Sequence, residues 1–280
     1  MASSKLIADS GATKAEWCLL ENRRKKIIFT QGISPYFFNE EQIHNLLVKE
    51  LCPKLKNARV DELHYYGTGM RNPKNVAMLK RSLNLVFPQA GIDINDDMLA
   101  AAIGLAGKKK VIACNLGTGS FCCYYNGKKI VKRSPGIGYV IGDEGSGAYL
   151  GKKVIQYYLY NIFDEELRYK FDKKYKTNAV AILENIYRKP MANRYMAAFS
   201  LFLSENRGHY MIENIIEDGL NDFFFIHLQG YKETSTLPVS FVGSIAYAFR
   251  DVLQELCQTY KFELGRVIKS PIEGLIDFHR

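Results

Sequence analysis

The chain has 280 residues, which at roughly 100–200 residues per domain calls for two domains. Hydrophobic residues make up 47% and charged residues 24%, a globular balance that excludes a disordered chain. The net charge of +9, from 38 basic and 29 acidic residues, leaves room for an anionic ligand. Its clusters are Arg23 to Lys26, Lys108 to Lys110 and Lys128-Lys129. Each sits in a turn beside a β-like run, and none opens a nucleic-acid motif, so no nucleic-acid partner is expected. No apolar run approaches the roughly 20 residues needed to span a bilayer, and MASSKLIADSG lacks the layout of a secretory signal. A cytoplasmic protein without a membrane partner is the expectation. The six cysteines form no C-x-x-C pair, and Cys122-Cys123 are adjacent, which suits buried reduced thiols.

In chain order, residues 5–9, 16–20 and 26–30 read as strands, with a polar turn at 22–26. That is an antiparallel meander. Residues 40–51 carry a helical period behind the N-cap candidate Asn39. A strand at 64–67 runs into a glycine turn, and 75–87 and 96–105 read as helices. The pattern then repeats. Residues 110–115, 120–125 and 129–131 read as strands, with a hairpin signal at Asn126-Gly127. Helices are expected from Tyr149 onward, at 178–187, 191–204 and 213–228. A buried strand at 238–242 precedes a helix at 246–260, and 270–280 forms a terminal helix. Two similar units follow, with a boundary near 107–110. No Pro/Ser-rich linker separates them, so the halves are expected to pack around a cleft.

Four turns carry chemistry. In Asp9-Ser10-Gly11-Ala12-Thr13-Lys14 an acid ends a strand before a tight turn, whose backbone N–H groups suit a phosphate. There Asp9 could hold a hydrated Mg²⁺. Gly117-Thr118-Gly119-Ser120 repeats that architecture. The segment 136–147 holds five glycines in twelve residues around Asp143-Glu144, which is costly in chain entropy. Carboxylates there suit sugar hydroxyls, and a helix N-terminus is the plainer reading. Gly243-Ser244 turns a strand into a helix and could admit a flat nucleotide ring.

Taken in this order, the turns resemble the actin-like ATPase superfamily of sugar kinases, acetate kinases and heat-shock chaperones. Gly142-Asp143-Glu144-Gly145-Ser146 resembles the signature of the N-acetylglucosamine kinase group of the BadF/BadG/BcrA/BcrD-type ATPase family. The resemblance implies an α/β fold of two ribonuclease-H-like domains, each a mixed sheet flanked by helices, with an interdomain cleft. The domains would be residues 1–107, joined by 268–280, and 108–267.

It further implies ATP and Mg²⁺ as cofactors and a small-molecule sugar as partner; a homodimer is a candidate assembly. Asp97, opening a helix of small residues, stands where the group carries its catalytic base; Asp96 or Asp97 as a mere cap is the plainer alternative. Gly11, Thr13, Lys14, Gly117, Thr118 and Gly119 would hold the phosphates, Gly243 and Ser244 would border the adenosine, and Asp9 would hold Mg²⁺ through water. Ser34, Ser120, Gly138, Asp143 and Glu144 would meet the sugar.

Phe121, Ser34 and Ile137 depart from residues common in relatives, and all three bear on the sugar side. The expected function is phosphorylation of a sugar hydroxyl, with an amino sugar such as N-acetylglucosamine as acceptor. A non-kinase activator ATPase of the same family and a non-catalytic sugar- or nucleotide-binding regulator are the alternatives.

Overall fold

The structure, a computed structural model, describes residues 4–11, 13–21, 24–56 and 58–280. Ala12 of the first glycine turn, and Asn22 and Arg23 of the polar turn, lie outside them. The chain divides into two compact units, Met1–Lys109 with Gly127–Lys129 and Ser270–Arg280, and Lys110–Asn126 with Ile130–Lys269.

The first unit runs β1 (Lys5–Ser10), β2 (Lys14–Glu21), β3 (Arg24–Gln31), α1 (Glu40–Leu46), α2 (Cys52–Leu55), β4 (Glu62–Gly67), α3 (Pro73–Val86), β5 (Gly91–Asp96) and α4 (Asp97–Ala106). The second runs β6 (Lys110–Leu116), β7 (Ser120–Asn126), β8 (Ile130–Arg133), α5 (Gly147–Leu159), α6 (Glu165–Tyr175), α7 (Ala179–Tyr187), α8 (Ala192–Ala198), α9 (Leu201–Glu205), α10 (Tyr210–Phe223), β9 (Val239–Val242), α11 (Ser244–Ala248), α12 (Arg250–Thr259) and β10 (Leu264–Ile268). The closing helix α13 (Ile272–His279) returns to the first unit.

Each unit holds one five-stranded mixed sheet, ordered β3-β2-β1-β4-β5 and β10-β9-β6-β7-β8. In both, an antiparallel meander supplies three strands and two parallel strands follow its first strand outward. The two sheets are one topology used twice.

Side-chain alternation along β1 fixes the layers of the first unit. Leu6 and Ala8 join Trp17, Leu63, Tyr65, Ile43, Leu47, Leu79 and Leu83 in one core. Lys5, Ile7 and Asp9 point to the other side. There Lys5 Nζ donates to the His279 carbonyl (2.9 Å), and Ser270 Oγ donates to Glu16 (2.9 Å). Helices α4 and α13 cover that face and cross backbone on backbone. A Cβ on Gly274 would lie 2.3 Å from the Gly104 oxygen, and one on Gly104 would lie 2.4 Å from Pro271 Cβ.

The second unit buries an aromatic cluster, with Tyr158 and Phe171 stacked at 3.9 Å and Tyr175 against Phe199 at 4.5 Å. These rings account for part of the Tyr-rich stretch near 157–176: Tyr157, Tyr158, Phe163, Phe171 and Tyr175 pack in the core, while Tyr160 and Tyr169 stay exposed.

Several expected elements differ. The sequence reading contains no β5 and no β10, the outer parallel strand of each sheet. The expected helix 246–260 is two helices, broken at Phe249, which leaves helical geometry (φ −116, ψ 36) with its side chain buried. The helix 191–204 likewise divides into α8 and α9. The helix 213–228 ends in a π-helical turn, Phe224–Leu228, and 40–51 continues from α1 into another, Leu47–Leu51. Residue 96 belongs to β5, so α4 begins at Asp97. Cys52 is half-buried, and the other five cysteines are buried free thiols. Among the described residues, no helix is long and apolar enough to cross a membrane.

Candidate active site

In the first unit, three parallel strands end in line. Ser10, Gly67 and Asp96 are register partners across β1, β4 and β5. Asp9 stands one residue before that line and Asp97 one residue after it. The acids separate by role. Asp96 caps α4, its carboxylate accepting from Leu99 N at 2.9 Å. Asp97 does not cap. Its carboxylate accepts from the Thr68 hydroxyl and from the backbone N–H groups of Asp97 and Met98.

Burial, then the Asp96 charge, raises Asp97 to about 6. Asp9 is pushed up to about 7 by burial, then by Asp97 and Glu16, with Lys14 offsetting part of the rise. Glu16 is the residue directly opposite Asp9 on β2, and like charges in that position repel. Three carboxylates therefore share one face of the sheet near the ends of its strands.

The turn after β1 is closed from behind. Gly11 N donates to the Lys14 carbonyl (3.1 Å), and Gly32 N donates to the Thr13 carbonyl (3.1 Å). A Cβ on Gly32 would lie 2.2 Å from the Gly11 oxygen. Thr13 and Lys14 are exposed. The Lys14 ammonium sits 3.9 Å from the Phe29 ring centroid. Ser34 is buried, and its carbonyl accepts from Phe37 N and Phe38 N as the loop turns toward α1.

In the second unit, the turn after β6 repeats this construction. Gly117 N donates to the Gly119 carbonyl (3.0 Å). The first amides of α5 reach back to it, Gly147 N to Gly117 O (2.8 Å) and Ala148 N to Thr118 O (3.1 Å). Gly243 seals the far side. Its φ is +123, and a Cβ there would lie 2.2 Å from the Leu116 oxygen, so only glycine fits. The second and fourth glycine turns are thus in backbone contact, and Ser244 opens α11 directly after Gly243.

The glycine-rich segment folds over the same strand ends. Asp143 has a left-handed backbone (φ 60), and its carboxylate accepts from Ser120 N–H. A Cβ on Gly119 would come within 3.0 Å of that carboxylate. Burial, then the neighbouring Glu144, raises the Asp143 pKa. Glu144 pairs with His227, Oε2 to Nε2, at 2.9 Å. Ser120, Ser134, Pro135, Gly136, Ile137, Asp143, Glu144, Ile226 and His227 line a pocket of about 120 Å³. Ser120 Oγ is buried there with no protein partner. Gly138 lies in the same segment, its φ +79 and its Cβ direction open. Ser146 caps α5 through Tyr149 N (3.1 Å), the plainer role expected for part of this segment.

Of the residues singled out from sequence, the first unit gathers Asp9, Gly11, Thr13, Lys14, Ser34 and Asp97. The second gathers Gly117, Thr118, Gly119, Ser120, Gly138, Asp143, Glu144, Gly243 and Ser244. His227 and Ser134 were not foreseen. The signal for His227 was a lone histidine interrupting the apolar run Phe-Phe-Phe-Ile-His-Leu, which a helical period absorbs without remark.

Two copies of this sheet, each with a glycine turn after its first strand, define the actin-like ATPase fold. No sequence-family model matches the chain. A proposed N-acetylglucosamine kinase from Porphyromonas gingivalis superposes with a TM-score of 0.93 at 34% identity, covering 98% of both chains. A second proposed N-acetylglucosamine kinase, from Chromobacterium violaceum, shares the fold at a TM-score of 0.72 and 17% identity over 99% of both chains. So does MreB 5 of Spiroplasma citri, solved bound to AMPPNP, at 0.59 and 11% over 99% of this chain and 96% of that one. An N-acetylmuramic acid/N-acetylglucosamine kinase of Clostridium acetobutylicum is 42% identical over 65 residues. That match spans 23% of this chain and 21% of the curated relative's length. The chain belongs to the N-acetylglucosamine kinase-like family.

Proposed function

We propose that the protein transfers the γ-phosphoryl group of ATP to a hydroxyl of an amino sugar such as N-acetylglucosamine. The observation that carries this reading is the Asp9–Asp97 pair. Two carboxylates at the ends of β1 and β5 are both lifted out of the ordinary range, one to about 7 and the other to about 6. Pairs of acids so perturbed are what a site needs for separate roles in binding and proton transfer. The family supports the sugar as acceptor.

The residues suit MgATP. Asp9, Asp97 and Glu16 concentrate negative charge that a divalent cation relieves, and Mg²⁺ is commonly bound through one or two carboxylates while keeping several waters. Bound Mg²⁺ neutralises phosphate charge. Asp9 would hold it through water. Gly11, Thr13 and Lys14 of the first turn and Gly117, Thr118 and Gly119 of the second would donate to phosphate oxygens. Gly243 and Ser244 would border the adenosine.

Asp97 takes the proton from the attacking sugar hydroxyl. Its pKa near 6 leaves it ionised at neutral pH yet basic enough to accept, which is the optimum for a general base. The Thr68 hydroxyl and two backbone amides fix the carboxylate in place. Ser120, Asp143 and Glu144 orient the sugar, with Ser34 and Gly138 as further contacts. The unpartnered Ser120 hydroxyl supports that assignment, since a buried polar group without a partner awaits a ligand or water.

A coupled ADP-release screen over monosaccharides and amino sugars tests the proposal. Sugar-dependent ADP release, strongest with an N-acetylated amino sugar, is expected. ADP release that is indifferent to every sugar would overturn it.

A further inference from the structure

We infer that His227 is a positioning residue for the sugar site, holding the Glu144 carboxylate in the orientation that receives a substrate hydroxyl. The inference rests on the sugar-site reading above and adds a residue that lies 83 positions from the acid it serves.

The first observation is the pair itself. His227 Nε2 and Glu144 Oε2 are 2.9 Å apart, with side-chain exposures of 11% and 12%. A nearly buried carboxylate needs a partner, because an unpaired charge out of water is costly. Here the partner engages one oxygen, Oε2.

The second is the pocket. Glu144 and His227 both line the cavity of about 120 Å³ that also holds Asp143 and the unpartnered Ser120 hydroxyl. The ion pair and the orphaned Ser120 hydroxyl thus face the same small cavity.

The third is the backbone that carries the histidine. Helix α10 does not continue as an α-helix to Leu228. It widens into a π turn over Phe224–Leu228, with Gln229 N donating to the Phe224 carbonyl at 3.2 Å. π turns are rare, and since Leu47–Leu51 forms another, this one counts here for how it presents His227 and not as a marker by itself. This one is tied to strand β7: Cys122 Sγ contacts the His227 carbonyl (3.8 Å), Tyr231 Oη donates to the Cys122 carbonyl (3.1 Å), and Cys122 N donates to Ser134 Oγ (3.0 Å). The strand that begins at Ser120 thus also anchors the turn that presents His227.

The test compares His227→Leu, which keeps bulk and removes the donor, with His227→Gln, whose side-chain amide can replace the Nε2 donor. Steady-state kinetics are measured with N-acetylglucosamine and, separately, with ATP as the varied substrate, and thermal melting is recorded for each variant. His227→Leu is expected to raise the sugar KM about tenfold or more, the scale of losing a hydrogen bond to a charged group. The KM for ATP is expected to stay within about twofold, and His227→Gln to recover most of the loss. Equal kcat losses in both variants with an unchanged sugar KM would overturn the inference. So would failure of His227→Gln to restore the KM while melting like the wild type. If the wild-type protein phosphorylates no amino sugar at all, the reading of the site fails first, and the inference fails with it.

Discussion

Replacing Asp97 by Asn is expected to move stability and activity in opposite directions. The native carboxylate titrates near 6, against 3.8 for the free group. The unfolded chain therefore loses its proton first. Between about pH 4 and 6 the native state binds the extra proton, so this group's contribution to stability falls as pH rises through that window and stays low above it. The shift of about 2 units corresponds to about 3 kcal/mol at 1.36 kcal/mol per unit, an upper limit for a half-buried group that also couples to Asp9. Asn removes that penalty and can still accept from the Thr68 hydroxyl and the Met98 amide. Asp97→Asn is expected to melt higher than wild type at pH 8 by an amount worth about 1–3 kcal/mol, with the gain vanishing near pH 4. The same variant cannot take a proton, so kcat is expected to fall about 10²–10⁴-fold with the KM for ATP nearly unchanged.

Asp96→Ala is the control. It removes the cap bond to Leu99 N and is expected to cost about 1 kcal/mol of stability, with a far smaller loss of kcat. Urea unfolding at pH 4, 6 and 8, alongside the ADP-release assay, measures both quantities. An Asp97→Asn protein that is less stable at pH 8 and loses kcat only as much as Asp96→Ala would refute the division of labour between the two acids.

Asp9→Asn is expected to raise the melting temperature of the ligand-free protein at pH 8, by removing a charge opposed to Glu16 and Asp97, and to shrink the upward shift produced by millimolar MgATP; an undiminished shift would exclude Asp9 from the metal site. Gly243→Ala places a Cβ 2.2 Å from the Leu116 oxygen at φ +123, and urea unfolding is expected to show a loss of about 2 kcal/mol or more. His279 is held down to about 4 by burial, then by His64 and Lys5, against 6.5 for the free group. The unfolded chain binds the extra proton between about pH 4 and 6.5, so stability rises with pH across that window. His279→Leu is expected to flatten the rise, and equal slopes in the two proteins would contradict the assignment.

The duplicated meander was legible because its strands are short apolar runs broken by unmistakable turns. Leu6 to Ala8 and Val111 to Cys114 are buried throughout, and Asn126-Gly127 ends a hairpin. The outer strands were not legible. Residues 91–96 hold only two apolar side chains, Ile92 and Ile94, between polar ones, and none is fully buried, so the alternation is too short to mark β5. Strand β10, Leu-Gly-Arg-Val-Ile, is equally uncommitted. Yet β5 is what brings Asp96 and Asp97 into line with Asp9, so the proximity of the two acids could not be read without it. The pairing of Glu144 with His227 was hidden for another reason. It depends on a π turn, and local sequence carries no periodic signature for one inserted residue.

The helix that completes the first unit is specified after all of the second. Helix α4, whose first residue is Asp97, meets α13 closely at Gly104 and Gly274, with Gly104 against Pro271 and Gly274 against the Gly104 backbone. During synthesis, β1 to α4 must wait with that face uncovered while the whole of β6 to β10 is translated. Domains ordinarily fold in the order they are made. This chain reverses the order of completion: the second unit can close first, and the unit bearing the two perturbed acids matures only when α13 arrives. A ribosome-stalling series is therefore expected to show protease-resistant second unit at chain lengths where the first is still cut, with resistance of the first gained in one step once α13 is free of the exit tunnel.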